Sequence, residues 1–207
     1  PIALSLKEKR SKVIGVIVPE IANYFCSAVI AGIEDIAYNM GYHVVIFQSH
    51  EKYEREVTNI NLLASRRIDG LIISVSNETK KGTHLAELID KGVPVVMFDR
   101  ICDEIDTPRV VTDDAGGAYD ATCHLAEQGY RRIAHVTMAP YLSVTKNRMK
   151  GYVNALKKHK IPIEKKWIVH CDFDFGNIKK ALHKLLKTTP KPNAILVSSE
   201  RIAIDCF

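Results

Sequence analysis

Hydrophobic residues follow two different spacings along this chain. Short runs rich in valine and isoleucine contain few polar residues, and each run is predicted to be a β-strand buried on both faces. Such runs occur at Val13–Val18, His43–Gln48, Asp69–Val75, Val93–Phe98, Arg109–Thr112, Ile133–Thr137, Trp167–His170 and Ala194–Ser198.

Between the strands, hydrophobic residues recur at helical spacing, which indicates amphipathic helices. The clearest helix is predicted over Tyr24–Met40. Others are predicted over Tyr53–Arg66, Thr83–Lys91, Ala115–Gln128, Lys146–His159 and Asn177–Lys187. Three of these helices are followed by a glycine, which predicts a left-handed cap at Gly41, Gly92 and Gly129.

Strands that alternate with helices indicate right-handed crossovers within a parallel sheet, so the predicted fold class is α/β. A polar stretch that contains Pro108 interrupts the alternation between Asp99 and Asp114, and the alternation then resumes. We therefore predict two Rossmann-like lobes with parallel sheets, over residues 12–112 and 113–207. Only the beginning of a helix follows the last strand, so the second lobe is expected to be truncated.

Length and composition exclude several classes of protein. A chain of 207 residues with 46% hydrophobic residues can bury a full core. Its longest apolar stretches are strand-sized, well below the roughly 20 residues that a membrane-spanning helix needs. The first residues do not resemble a signal peptide, and the five cysteines never form a C-x-x-C pair. We expect a cytoplasmic protein with reduced thiols and no membrane segment.

Charge is divided unevenly along the chain. Residues 1–113 contain 13 Lys+Arg against 16 Asp+Glu, and residues 114–207 contain 16 against 8, a net −3 and +8. A basic half is compatible with nucleic-acid binding. However, its lysine pairs fall where helix surfaces and loops are predicted, so solvated faces are the favoured interpretation.

In open α/β sheets, ligands bind beyond the carboxyl ends of the strands, so the residues that follow each strand are the binding candidates. A polyhydroxylated ligand needs paired donors and acceptors beside an apolar surface, whereas a purine needs stacking and a few hydrogen bonds. The candidates suit either ligand, although a phenylalanine that starts an amphipathic helix is more often a core residue. They are Tyr24, Phe25, Ser74, Asp99, Arg100, Arg148, Phe173 and Ser199.

The sequence contains no signature of an enzyme class. It has no G-x-S-x-G, G-x-x-x-x-G-K, G-x-G-x-x-G or H-E-x-x-H motif. The histidines show no metal-ligand spacing, and His135, within an apolar strand, is predicted to be a hydrogen-bonded core residue. We expect no catalysis, no metal site and no cofactor.

Several segments together resemble the lactose/galactose repressor family, whose sensing region has the type I periplasmic-binding-protein fold. The family's opening strand and loop are similar to Val13–Phe25, and its third and fourth strands are similar to Ile68–Ile73 and Val93–Arg100. The entry into the family's second lobe is similar to Asp113–Ala134, and its Arg-x-x-Gly-aromatic helix is similar to Arg148–Tyr152.

The resemblance implies the effector-binding region of a bacterial transcriptional repressor. A small metabolite, with a sugar favoured, would bind between the lobes of a homodimer and change its affinity for operator DNA. By resemblance, Tyr24 and Phe25 line the cleft, and Phe173 stacks on the ligand. Asp99 accepts hydrogen bonds from ligand hydroxyls and Arg148 reaches across from the second lobe, a role that suits a planar guanidinium.

Residues 1–11 resemble the end of the family's hinge helix. In the family, a leucine of this helix wedges into the DNA minor groove, and the matching residue is Leu6. Operator DNA is therefore expected to be bound only through this hinge and a missing helix-turn-helix domain.

Two other functions stay open at this point. An extracytoplasmic sugar-binding protein of a transporter would have the same fold, but five unpaired cysteines suit an oxidising compartment poorly. A flavodoxin-like or nucleotide-dependent enzyme would share the strand and helix order, since one fold supports many functions. The absence of a glycine-rich phosphate loop argues against the enzyme.

Overall fold

The computed structural model describes residues 10–171 and 175–206, and the chain divides into two compact units between Val111 and Thr112. Unit 1 contains a parallel sheet in the strand order β2-β1-β3-β4-β5. Its strands are β1 (Val13–Val18), β2 (His43–Gln48), β3 (Gly70–Ile73), β4 (Val95–Phe98) and β5 (Arg109–Val110). Its helices are α1 (Tyr24–Asn39), α2 (Tyr53–Ser65) and α3 (Thr83–Asp90).

Unit 2 contains a second parallel sheet, in the strand order β7-β6-β8. Its strands are β6 (Ile133–Thr137), β7 (Ile168–His170) and β8 (Ala194–Val197). Its helices are α4 (Asp114–Glu127), α5 (Ser143–Lys158), α6 (Phe175–Leu186) and α7 (Glu200–Asp205), and a single 3-10 turn (Lys165–Trp167) precedes β7.

The predicted α/β class with parallel sheets is confirmed, and β1 shows why its sequence is apolar at every position. Alternate residues of a strand point to opposite faces of the sheet. Ile17 packs in one buried cluster with Leu63 and Leu71, whereas Val16 and Val18 pack in another on the opposite face. All three β1 residues are fully buried, so this strand has no solvent-facing side.

The ends of several elements differ from the predicted ones for local reasons. Helix α4 starts at Asp114 because the Asp113 carboxylate caps it, accepting a hydrogen bond from the Gly116 amide at 2.8 Å. Trp167 belongs to the 3-10 turn and not to β7, and its indole N–H donates to the Pro190 carbonyl oxygen. The predicted left-handed caps are confirmed at Gly41, Gly92 and Gly129, with φ of 72°, 83° and 90°.

Helices α4 and α5 pack closely together at Gly151. A Cβ atom at this position would lie 2.1 Å from the Ala115 carbonyl oxygen and 2.8 Å from the Tyr119 amide nitrogen. Both are backbone atoms, which cannot turn aside as the end of a side chain can. The glycine of the Arg-x-x-Gly-aromatic motif is therefore required by the packing of two helices.

Candidate functional site

The strand order of unit 1 places the candidate binding residues at one edge of the sheet. Strand β1 has β2 on one side and β3 on the other, so the chain leaves β1 and β3 in opposite directions. Ligands of open α/β sheets bind beside this reversal, beyond the carboxyl ends of the strands. The loops at that point are residues 19–23 after β1 and Ser74–Thr79 after β3, and we call the second one the β3 loop.

Two aromatic side chains lie at the start of α1. Asn23 caps the helix, its side-chain oxygen accepting a hydrogen bond from the Phe25 amide at 2.8 Å. Tyr24 and Phe25, the first two residues of the helix, are 79% and 42% exposed. Phe25 is therefore not a core residue, and both rings are accessible for stacking on a ligand.

Asp99 lies directly after β4 in a backbone conformation that side chains rarely adopt. Its φ is 56°, in the left-handed region where a non-glycine residue is uncommon. His50 and Glu51, the second and third residues after β2, also have positive φ, 48° and 61°. Such backbone strain is found preferentially at functional sites, where the surrounding structure maintains it.

Arg100 is buried and held by an acidic partner. Its Nη1 donates to the Glu51 carboxylate at 2.7 Å. Burial alone would lower the pKa of the Arg100 guanidinium, but the Glu51 carboxylate, together with Asp99 and Cys26, raises that pKa overall. The structure thus adds Glu51 to the candidate set, a residue that the sequence analysis did not single out.

Ser74 is the other candidate of unit 1, and it begins the β3 loop. Its side chain is buried, and among the described residues its hydroxyl has no hydrogen-bond partner. Unpaired buried hydroxyls are uncommon in folded proteins, so an atom of this kind at a ligand-binding edge is notable. Ser49, directly after β2, has a buried hydroxyl of the same kind.

In unit 2, Arg148 projects from α5 and is anchored on two sides. Its Nε and Nη2 atoms each lie 2.7 Å from Oδ1 of Asp114, and its Nη1 donates to the Ser198 carbonyl oxygen. Ser198 directly follows β8, so the guanidinium lies at the carboxyl edge of the unit 2 sheet. Asp114 is the second residue that the sequence analysis did not place in the site.

A pocket of about 370 Å³ opens beside Arg148 within unit 2. The first turns of α4 line it with glycine and alanine, whose small side chains leave the space. His135 also lines the pocket and is fully buried, with Nδ1 3.1 Å from the Leu196 carbonyl oxygen and its ring stacked on Tyr152. Burial lowers the pKa of His135 to about 4, so the ring is neutral at pH 7.

Ser199 caps α7, because its hydroxyl oxygen accepts a hydrogen bond from the Ile202 amide at 3.3 Å. That local role accounts for a serine at this position without a ligand. Two further predicted residues, Phe173 and the hinge residue Leu6, lie outside the described part of the chain.

Within residues 10–171 and 175–206, no group of three or more histidine, cysteine or acidic residues is arranged to hold a metal ion. In the same part of the chain, no helix combines the length and the apolar character required to cross a membrane. The five cysteines are free, and Cys26, Cys102 and Cys123 are buried.

Known proteins are similar to this chain over nearly its whole length. The sequence model of the periplasmic binding proteins and sugar-binding domain of the LacI family matches residues 11–206. The chain is 32% identical to catabolite control protein A of Priestia megaterium over 98% of its own length and 61% of that protein. It is 30% identical to the ribose operon repressor of Haemophilus influenzae over 100% of its own length and 61% of that protein.

Solved structures share the fold. The crystal structure of the transcription regulator CcpA of Lactococcus lactis superposes with a TM-score of 0.85 at 23% identity, over 95% of this chain and 71% of that one. The chain spans about 60% of the length of the curated relatives that it matches.

Proposed function

Since the chain belongs to the family of periplasmic binding proteins and sugar-binding domains of LacI-type regulators, we propose that it is the effector-binding region of a bacterial transcriptional repressor. A small metabolite, for which we propose a sugar, binds and modulates the affinity of the repressor for operator DNA. The main support is the position of Asp99. This hydrogen-bond acceptor has a positive φ and lies at the edge where open α/β sheets bind ligands. One of the curated relatives named above is the ribose operon repressor, which favours a repressor over a transporter's binding protein.

The proposed contacts belong to both units. In unit 1, Asp99 accepts hydrogen bonds from ligand hydroxyls, Arg100 and Ser74 lie beside it, and Tyr24 and Phe25 offer aromatic surface. In unit 2, Arg148 donates to a ligand oxygen through the N–H groups that Asp114 and Ser198 leave available, since a guanidinium has five. Ser199 and Phe173 complete the proposed set.

The proposed mechanism is a switch without catalysis. An effector can change DNA affinity only by binding two arrangements of the protein unequally, and DNA must then change effector affinity by the same factor. Operator contact would rest with a helix-turn-helix and a hinge that includes Leu6, and such a protein works in the cytoplasm.

A thermal-shift screen of sugars, phosphosugars and purines tests this proposal. An effector at about 100 times its dissociation constant is expected to stabilise the folded state by roughly 2.7 kcal/mol. Asp99→Ala and Arg148→Ala should each abolish the shift, measured against each variant's own melting temperature. Asp90→Ala and Lys150→Ala, which remove exposed charges on α3 and α5, are the matched controls and should preserve it. A shift that survives in both site variants would contradict the assigned residues.

We also propose that the protein is a homodimer, and unit 1 offers a face for it. Helix α1 and its C-cap expose Ile36 and Met40 at 65% and 66%, one helical turn apart, and the edge strand β2 that follows exposes Ile46, on the same face of the sheet as Val16. Adjacent exposed apolar side chains mark interaction surfaces, and an unpaired edge strand is normally covered. Two copies related by a two-fold axis would bury the same face on each.

Charge placed on this face should separate the two copies. Ile36→Asp is expected to weaken self-association roughly tenfold or more, because an aspartate would lose its hydration in the interface. Sedimentation velocity over a concentration series measures the effect. Leu62→Asp, on the exposed side of α2, is the control and should leave the association constant unchanged. Equal weakening by both variants would place the interface elsewhere.

A further inference from the structure

The β3 loop is bound by a carboxylate that lies entirely inside unit 1. Glu56 of α2 is fully buried, and its two oxygens accept three hydrogen bonds. The Ser76 amide donates at 2.6 Å, the Thr79 hydroxyl at 2.8 Å and Nε2 of His84 at 2.7 Å. The Ser76 and Thr79 hydroxyl oxygens lie 2.8 Å apart, and because the Thr79 proton points to Glu56, the Ser76 hydroxyl donates to Thr79. One side chain thus fixes both ends of a four-residue segment.

A second carboxylate holds the next residue of the loop and links it to the end of β4. Oε2 of Glu51 accepts hydrogen bonds from the Asn77 amide at 2.8 Å and from Nη1 of Arg100 at 2.7 Å. The Val75 amide also donates to the Arg100 carbonyl oxygen at 3.2 Å. Glu51 therefore joins the β3 loop to the segment that contains Asp99.

The loop returns a hydrogen bond to the helix. Lys52 precedes α2 and offers no side-chain cap to it. Instead, the Glu78 carboxylate accepts from the Tyr53 amide at 3.1 Å and from the Lys52 ammonium at 2.7 Å. These hydrogen bonds, with that from Lys52 as the largest cause, lower the pKa of Glu78. Segment 51–56 and the β3 loop are thus bonded in both directions.

This arrangement needs an explanation, because a buried carboxylate is costly unless every lone pair that faces protein is satisfied. Surface loops are normally held by turns and solvent, and are correspondingly mobile. Here two glutamates are used to bind backbone amides of a loop at the ligand-binding edge. A loop that is ordered before binding loses less entropy when the ligand arrives.

We propose that Glu51 and Glu56 are positioning residues of the effector site, which hold the β3 loop and Arg100 in the binding conformation before the effector arrives. The role of these glutamates in effector binding rests on the proposed function, but their anchoring of the β3 loop does not depend on any ligand. Neither glutamate contacts the effector. Glu56 acts through the loop that contains Ser74, and Glu51 acts through that loop and through Arg100.

Amide hydrogen exchange of the full chain, measured by NMR without any effector, tests the proposal. Glu56→Met keeps the length of the side chain and removes its acceptors, so the Ser76 amide should exchange roughly tenfold faster or more. Glu56→Gln, which keeps one acceptor oxygen, should fall between Glu56→Met and the wild type. Glu51→Gln should accelerate exchange of the Asn77 amide. Glu54→Gln removes an exposed carboxylate from the same helix and should change neither amide by more than about twofold.

A second readout separates positioning from general stability. The proposal has Nε2 of His84 donate to the Glu56 carboxylate, so we expect the 15N signal of Nε2 in the wild type to be that of a protonated nitrogen. In Glu56→Gln, the new amide N–H can donate to Nε2, and the signal should move to the unprotonated range. Thr79→Val removes one hydroxyl only and covers the case in which Glu56→Met does not fold. Amide exchange in the β3 loop should be faster in Thr79→Val than in the Glu54→Gln control.

Unchanged Ser76 exchange in both Glu56→Gln and Thr79→Val would overturn the proposal, as would an unprotonated Nε2 in the wild type. Because neither readout uses a ligand, the anchoring of the β3 loop can be confirmed even where the proposed function is wrong. Absence of any effector in the metabolite screen would count against the function and not against the loop anchoring.

Discussion

Gly151→Ala is expected to destabilise unit 2 by about 2 kcal/mol or more, although alanine is the better helix former. In an open helix interior, alanine gains about 1 kcal/mol over glycine. At Gly151 the added methyl group would lie 2.1 Å from the Ala115 carbonyl oxygen, so α4 and α5 must move apart. Overpacking of this kind costs typically about 1 to 3 kcal/mol, occasionally more, and the clash is with backbone atoms of α4.

Trp167 makes the measurement specific. It is the single tryptophan of the chain, and it is buried in unit 2. Urea unfolding followed by its fluorescence therefore reports on this unit. The matched control is Gly117→Ala on α4, where a Cβ would meet nothing within 4 Å, and this variant should be neutral or slightly stabilised. If the two variants had equal stability, the close approach of α4 and α5 would be refuted.

Much of the fold is predictable because local chemistry and burial agree along the strands and helices. Strands β1, β2 and β6 match their predicted bounds, since each is a short and mostly hydrophobic run. Helix α5 was predicted from Lys146 but begins at Ser143. The reason is that residues 143–145 have hydroxyl or β-branched side chains of low helix propensity, whereas here they are buried and their packing outweighs that preference.

The anchoring of the β3 loop was missed although a signal was present. Glu56, Ile60 and Leu63 lie on one face of α2, and they are its buried residues. Pattern analysis assigns a glutamate to solvent by default, because a lone buried carboxylate is costly. An acidic residue at a core position of an amphipathic helix was the available indication of a buried hydrogen-bond network.

The candidate site was predictable in position but not in its internal contacts. Residues after the strands were chosen because parallel strands end at one edge, and Asp99 and Arg148 do lie at strand ends of their own units. Nothing in the sequence links Arg100 to Glu51, 49 residues away, or Arg148 to Asp114, 34 residues away. These ion pairs depend on how strands of distant sequence become neighbours, which is a property of topology.

His135 allows a prediction of how stability changes with pH. The fully buried ring lies against Tyr152, and Nδ1 donates to the Leu196 carbonyl oxygen, so the neutral form is the one that fits. Burial lowers its pKa to about 4 in the folded state, whereas an unfolded histidine has a pKa of about 6.5. Above the unfolded value both states are neutral and the folded state loses nothing. Below it, only the unfolded state takes up the proton.

Unit 2 should therefore lose stability as the pH falls from 6.5, by about 3 kcal/mol once the pH reaches the folded pKa near 4. Urea unfolding followed by Trp167 fluorescence between pH 7 and 4.5 measures this loss. His135→Phe keeps an aromatic ring beside Tyr152 but cannot titrate, so its curve contains only the contributions of other groups. The difference between the two curves should have the predicted slope, while His124→Gln, which replaces an exposed histidine on α4, should follow the wild type. Parallel curves for the wild type and His135→Phe would mean that His135 is not held neutral by burial.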